Sequence, residues 1–135
     1  MAARYLLDTN TASYVIKGNV PGIRERLQKC APSEVAISVI SEAELRSGVL
    51  RLSSANRLAL VVEEFLRFIE IRPWDSAAAR HYAQLRASVE QEGRPIGNLD
   101  LMIAAHSLAL GTVLVSSDRV FRRVKDLRIE DWVRV

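Results

Sequence analysis

The sequence predicts an α/β protein, a three-layer domain with a central parallel sheet flanked by helices. Three observations predict it. Short apolar, β-branched runs alternate with longer stretches whose apolar residues recur at helical spacing. Glycine and proline punctuate the changeovers. At 135 residues and 49% hydrophobic, the chain is long enough for one domain with a real core, spanning residues 1–135, and too short for two comfortable ones.

The elements follow in order. Arg4 to Leu7 is a brief apolar run without helical period, a strand, and Thr11 to Lys17 puts Ala12, Val15 and Ile16 on one helical stripe. A short helix starts near Pro21 and runs to Gln28. Val35 to Ile40 reads as a second strand, and the pattern turns helical from Ser41 through Leu50. From Ser54 to Phe68, Leu58, Val61, Val62, Phe65 and Leu66 form a core-facing stripe. Phe68 to Ile71 is the third strand. Asp75 caps a long helix carrying Ala78, Ala79, Tyr82, Leu85 and Val89, which ends by Gly93-Arg94-Pro95. Asn98 caps a helix reaching Leu110, with Gly111 as its stop, and Thr112 to Val115 is the fourth strand. Phe121 and Val124 mark a last short helix, and residues around Trp132 to Val135 add an edge strand. The chain carries no internal repeat and no low-complexity tract.

Composition narrows the function classes. Lys and Arg number 19 against 16 Asp and Glu, a net charge of +3, and the arginine-rich balance suits nucleic acid or an acidic protein partner. The single cysteine, Cys30, excludes an intramolecular disulfide framework and a thiolate metal cage and fits the cytoplasm. No signal-peptide core is expected ahead of the first strand, and no apolar run approaches the roughly 20 residues needed to cross a bilayer.

In such sheets ligands bind beyond the carboxyl ends of the strands, so acids just after strands carry most weight. Asp8 follows Tyr5-Leu6-Leu7, Glu44 lies in the first turn of the helix after Val35 to Ile40, and Asp118 follows Val113 to Ser116. Asp100 sits in the first turn of the Asn98 helix, whose partial positive end favours an anion. Carboxylates gathered at one edge raise each other's pKa unless a cation intervenes. Oxygen ligands select a hard ion, Mg²⁺ or Mn²⁺, and His81 and His106 stand without zinc spacing. A cation so held activates water and stabilises charge on a phosphodiester, the logic of metal-dependent nucleases. Asp8, Asp100 and Asp118 are the expected direct or water-mediated ligands, Glu44 orients water, and Thr9, Asn10 and Ser116 supply neutral hydrogen bonds.

Each acid also has a purely structural reading. Asp8 and Asp118 are ordinary caps, Ser41-x-x-Glu44 fits a capping box, and Asp100 complements a helix dipole. The run Arg119, Arg122, Arg123, Lys125 is a solvated face or a phosphate rim beside Asp118. Two further readings compete: a phosphatase using Asp8 as covalent nucleophile, weakened because Asn10 breaks the usual Asp-x-Asp pattern, and a non-enzymatic module that only binds an antitoxin as corepressor partner.

The ordered set Tyr5-Leu6-Leu7-Asp8-Thr9-Asn10, Ile37 to Gly48, Ile96 to Ala104 and Val115-Ser116-Ser117-Asp118 resembles the VapC branch of the PIN-domain ribonucleases across nearly the whole chain. Gly93-Arg94-Pro95-Ile96-Gly97 and Leu127 to Trp132 look like the same branch. Serine at 116 stands where relatives commonly have threonine. The resemblance implies a PIN-like fold and a magnesium-dependent endoribonuclease toxin whose four acids fall on Asp8, Glu44, Asp100 and Asp118. It also implies a VapB-type antitoxin covering the acidic site, tRNA or other structured RNA as substrate, operator DNA contacted only through the antitoxin, and a homodimer.

Overall fold

The computed structural model describes residues 3–52 and 56–133. Strands β1 (Tyr5–Leu7), β2 (Val35–Ser38), β3 (Glu70–Arg72), β4 (Val113–Val115) and β5 (Ile129–Glu130) form one sheet in the order β3-β2-β1-β4-β5, and every pairing is parallel. Leu7 stands opposite Ile37 on one side and Val115 on the other. Parallel pairing requires crossovers. Helices α1 (Thr9–Lys17), α2 (Pro21–Gln28), α3 (Val39–Leu50), α4 (Asn56–Phe68), α5 (Ser76–Glu92) and α6 (Asn98–Leu110) supply them.

Alternation along each strand sends side chains into two cores. Tyr5, Leu7, Val35, Ile37, Val113 and Val115 face a cluster completed by Ala12, Ile23, Leu45, Val62, Leu66 and Trp132. Leu6, Ala36 and Leu114 face the other, with Val89, Ile96, Leu101, Ile103, Phe121 and Val124. Because both faces are covered, Leu6, Leu7, Ile37, Leu114 and Val115 are fully buried. Each contributes about 1.5–3 kcal/mol relative to exposure.

The boundaries that differ from sequence expectation differ for local reasons. β2 stops at Ser38 because the Ser38 hydroxyl accepts the Ile40 N–H and caps α3, so Val39 and Ile40 are helical despite their β-branched or apolar character. Ser41 is then an internal, buried helix residue, the Ser41–Glu44 capping box does not form, and Glu44 falls in the second turn. The Asp8 side chain accepts the Thr11 N–H and starts α1 at Thr9, two residues early. Asn98 does not cap α6. Gly97 holds that place without a side-chain cap, and Asn98 is the first helical residue. Phe68 closes α4, so the third strand begins at Glu70. Val61 and Ala79, expected on core stripes, are exposed. The last short helix is a 3-10 turn over Arg119–Arg123, and the edge strand lies at Ile129–Glu130, ahead of the expected Trp132 to Val135; residues 134–135, like the expected helix start at Ser54, fall outside the described residues. Asp75 and Gly111 cap as expected. Among the described residues, no helix is long and apolar enough to cross a membrane.

Candidate active site

The strand order reverses direction at the centre of the sheet, where β1 lies between β2 and β4, and a parallel sheet offers its crevice there, beyond the strand ends. Asp8 emerges from β1 into that crevice. It is 4% exposed, and both carboxylate oxygens are held: Oδ1 accepts the Thr11 N–H at 2.8 Å and Oδ2 accepts the Ser116 hydroxyl at 2.5 Å. The Ser116 oxygen in turn accepts the Asp118 N–H at 3.0 Å, and Asp118 Oδ1 accepts the Val120 N–H at 3.0 Å, capping the 3-10 turn. One hydrogen-bonded chain thus ties the ends of β1 and β4 together. Asp8 and Asp118 are caps and site candidates at once, since each carboxylate oxygen can accept more than one partner.

Glu44 arrives from α3. Thr9, the first residue of α1, donates its hydroxyl to Glu44 Oε1 at 2.5 Å, and Thr9 Oγ1 also lies 2.9 Å from the Ser41 hydroxyl. Asp100 arrives from the first turn of α6. Its pKa is raised, first by burial and then by the charges of Asp118, Glu44 and Asp8. The other three acids thus lie near enough to Asp100 for their charges to act on it. Asp8 is raised as well, mainly by burial, against the lowering effect of its bonds to Ser116 and Thr11. Asn10 is exposed on α1 and forms no hydrogen bond to the acids among the described residues.

Among the described residues, no three carboxylate, imidazole or thiolate groups stand close enough to clasp one ion directly. The donor chemistry is nonetheless selective. Four carboxylates with hydroxyls between them offer only hard oxygen, and a loose ring suits Mg²⁺, which keeps several of its own waters. Burial raises the pKa of both Asp8 and Asp100, and at Asp100 the neighbouring carboxylates add to it.

Residues that sequence reasoning passed over include Thr11, whose hydroxyl donates to the Val115 carbonyl and fixes α1 against β4, and Ser41 beside Thr9. Their signal was position alone, inside the first turn after a strand. His106 is internal: Nδ1 lies 2.8 Å from Ser38 Oγ, and Nε2 is buried with no hydrogen-bond partner among the described residues. Burial lowers its pKa, so the ring is a neutral packing element. Of the basic run, Arg123 is structural, bonding Glu92 and the carbonyls of Arg94 and Pro95, while Arg119 and Arg122 are exposed beside Asp118.

Carboxylates gathered at the switch point of a parallel sheet define a class, and the PIN-domain family model matches residues 5–127; the chain belongs to that family. It is 36% identical to the tRNA(fMet)-specific endonuclease VapC of Shigella flexneri, over 96% of this chain and 98% of that protein. Among solved structures, it is similar to DNA-bound VapBC from Salmonella typhimurium, with 38% identity, a TM-score of 0.89 and coverage of 96% and 98%. VapBC2 from Rickettsia felis, bound to a promoter DNA fragment, matches at 32% identity with a TM-score of 0.86, covering 95% and 98%.

Proposed function

We propose that this chain is a VapC-type endoribonuclease toxin, a single PIN domain that hydrolyses RNA phosphodiester bonds and thereby halts translation. The observation that carries the reading is the convergence at Asp100: Asp8 after β1, Glu44 on α3 and Asp118 after β4 all act on the carboxyl that α6 brings to the sheet's switch point. Asp8, Asp100 and Asp118 would hold Mg²⁺ or Mn²⁺ directly or through water, with Glu44, fixed by Thr9, placed to orient the attacking water. A metal held there would supply an activated water and neutralise charge on the phosphodiester oxygens. The protein's own part is positioning: the Ser116 and Thr11 bonds lock Asp8, and Thr9 locks Glu44. In-line displacement by water leaves a 5′-phosphate and a 3′-hydroxyl.

Engagement of both Asp8 oxygens favours a holding role over covalent attack, which argues against the phosphatase reading. Relatives named as tRNA(fMet)-specific endonucleases make tRNA the first substrate to try. Solved relatives are VapBC complexes, some on DNA, so we assign a VapB-type antitoxin as partner, operator DNA through that antitoxin, and a homodimeric toxin working in the cytoplasm. An apolar hollow of about 340 Å³ lined by Leu27, Phe65, Phe68 and Ile69 offers an antitoxin segment a groove.

The test is incubation of purified, antitoxin-free protein with total tRNA and rRNA in Mg²⁺ or Mn²⁺, with new 5′ ends sequenced. Discrete cuts are expected with metal and not with EDTA. Asp8→Asn, which keeps an N-cap acceptor, should lower cutting at least about a hundredfold while the fold persists. Intact RNA with the wild-type protein and metal, or equal cutting by Asp8→Asn, would overturn the reading in favour of a binding module.

A further inference from the structure

Beside the acids lies a second cavity that the chemistry above does not use. Its volume is about 550 Å³, and it opens where α5 gives way to α6. Val89, Ile96 and Leu101 make an apolar floor, and Arg86, Arg94 and Asn98 stand on its walls. Gly97 is the partition between this cavity and the acids: it lines the cavity, and a Cβ placed on it would stand 3.8 Å from Asp100 Oδ2.

The polar wall is organised. Asn98 Oδ1 accepts Arg86 Nη1 at 2.6 Å and the Tyr82 hydroxyl at 3.3 Å, so its amide is fixed in one sense, with the oxygen engaged and the Nδ2 donors left over among the described residues. Arg86 is itself oriented by Glu90, which also lines the cavity, at 3.1 Å. The connector is held from outside by Arg123, which bonds the carbonyls of Arg94 and Pro95 and the Glu92 carboxylate. Arg94, by contrast, has no side-chain hydrogen bond or ion pair among the described residues. It is an exposed cation at the mouth.

An apolar floor of this size, an oriented amide donor and an exposed guanidinium are the recognition set for one nucleotide. A base lies on the apolar floor or against a guanidinium plane, an amide N–H meets an acceptor on its edge, and arginine meets the phosphate. We propose that this cavity takes the unpaired nucleotide of the RNA next to the scissile phosphate, with Asn98 reading its base and Arg94 its phosphate. The proposal rests on the ribonuclease reading, because only a chain crossing Gly97 would place its next phosphate on the acids. Arg86 is a positioning residue that holds Asn98.

The experiment compares wild type with Arg94→Ala, Asn98→Ala and Arg86→Ala, and with Arg80→Ala, an exposed α5 residue outside the cavity, as control. Binding of a short fluorescein-labelled single-stranded RNA of mixed sequence is followed by anisotropy in EDTA; cleavage of tRNA in Mn²⁺ is sequenced for base preference at the cut. Arg94→Ala should weaken binding about tenfold with kcat within twofold, and Asn98→Ala should flatten the base preference at one position flanking the cut. Arg86→Ala should flatten the same position. Equal affinity and preference across all variants, with thermal melts showing all folded, would overturn the subsite. So would an altered oligomeric state at unchanged RNA affinity, which would assign the cavity to a contact between copies. Arg94-dependent RNA binding by a wild-type protein that cuts nothing would remove the nuclease reading and leave the cavity as an RNA site.

Discussion

Asp8 and Asp100 set the behaviour of the protein at the scale of single residues. Both carboxyls are raised in pKa, so the folded, metal-free protein retains protons on them that the unfolded chain has released. Stability therefore falls as pH climbs from the ordinary value of 3.8 through the raised values. Asp100→Asn removes that loss: its metal-free Tm should exceed that of the wild type at pH 7, with the gain shrinking toward pH 4, where the native carboxyl is protonated. Calorimetry in EDTA at both pH values checks the sign, and Mg²⁺ should then raise the wild-type Tm more than the variant's. Ser116 tests the support of Asp8 alone. Ser116→Ala removes the 2.5 Å bond and should cost about 10- to 100-fold in cleavage, measured as kcat/KM on a tRNA substrate, with metal affinity reduced in parallel.

Helix starts decide the site at the scale of elements, because three of the four acids sit in or just before the first two turns of a helix. α6 begins on Gly97 with no side-chain acceptor for its first N–H groups. Gly97→Ser should add that acceptor and a few tenths of a kcal/mol in urea titration. It should also thicken the partition between Asp100 and the adjoining cavity, so cleavage should fall as stability rises. This trade is legible only in the fold. From the sequence, Asp8, Asp100 and Asp118 were readable as acids following strands or opening helices, and the alternation of strand and helix gave the three layers. What escaped was competition between neighbours. Val39 and Ile40 look like strand continuation, and only the Ser38 cap turns them into helix; Asn98 looks like a cap, and only the arriving Arg86 and Tyr82 take its side chain away. Long-range partners of this kind leave no periodic trace.

The whole molecule is closed by its last described residues. Trp132 is 2% exposed, packs edge-on against Tyr5 at 5.1 Å, and donates Nε1–H to Glu130 Oε1 at 2.9 Å, while the Arg26 guanidinium lies 5.1 Å over its ring. The Glu130 carbonyl accepts the Ser116 N–H at 2.9 Å, so the closing strand also steadies the residue that holds Asp8. Trp132→Ala should cost about 3–5 kcal/mol by denaturant unfolding, and the surviving folded fraction should cut RNA more slowly.

The bond between Ser116 and Asp8 spans 108 positions of the chain. A parallel sheet whose central strand β1 is made long before its neighbour β4 has no site until β4 has left the ribosome. Until then the acids stand apart, and the activity proposed above is absent from the nascent chain. The order of the strands acts as a delay between making the first acid and assembling the site.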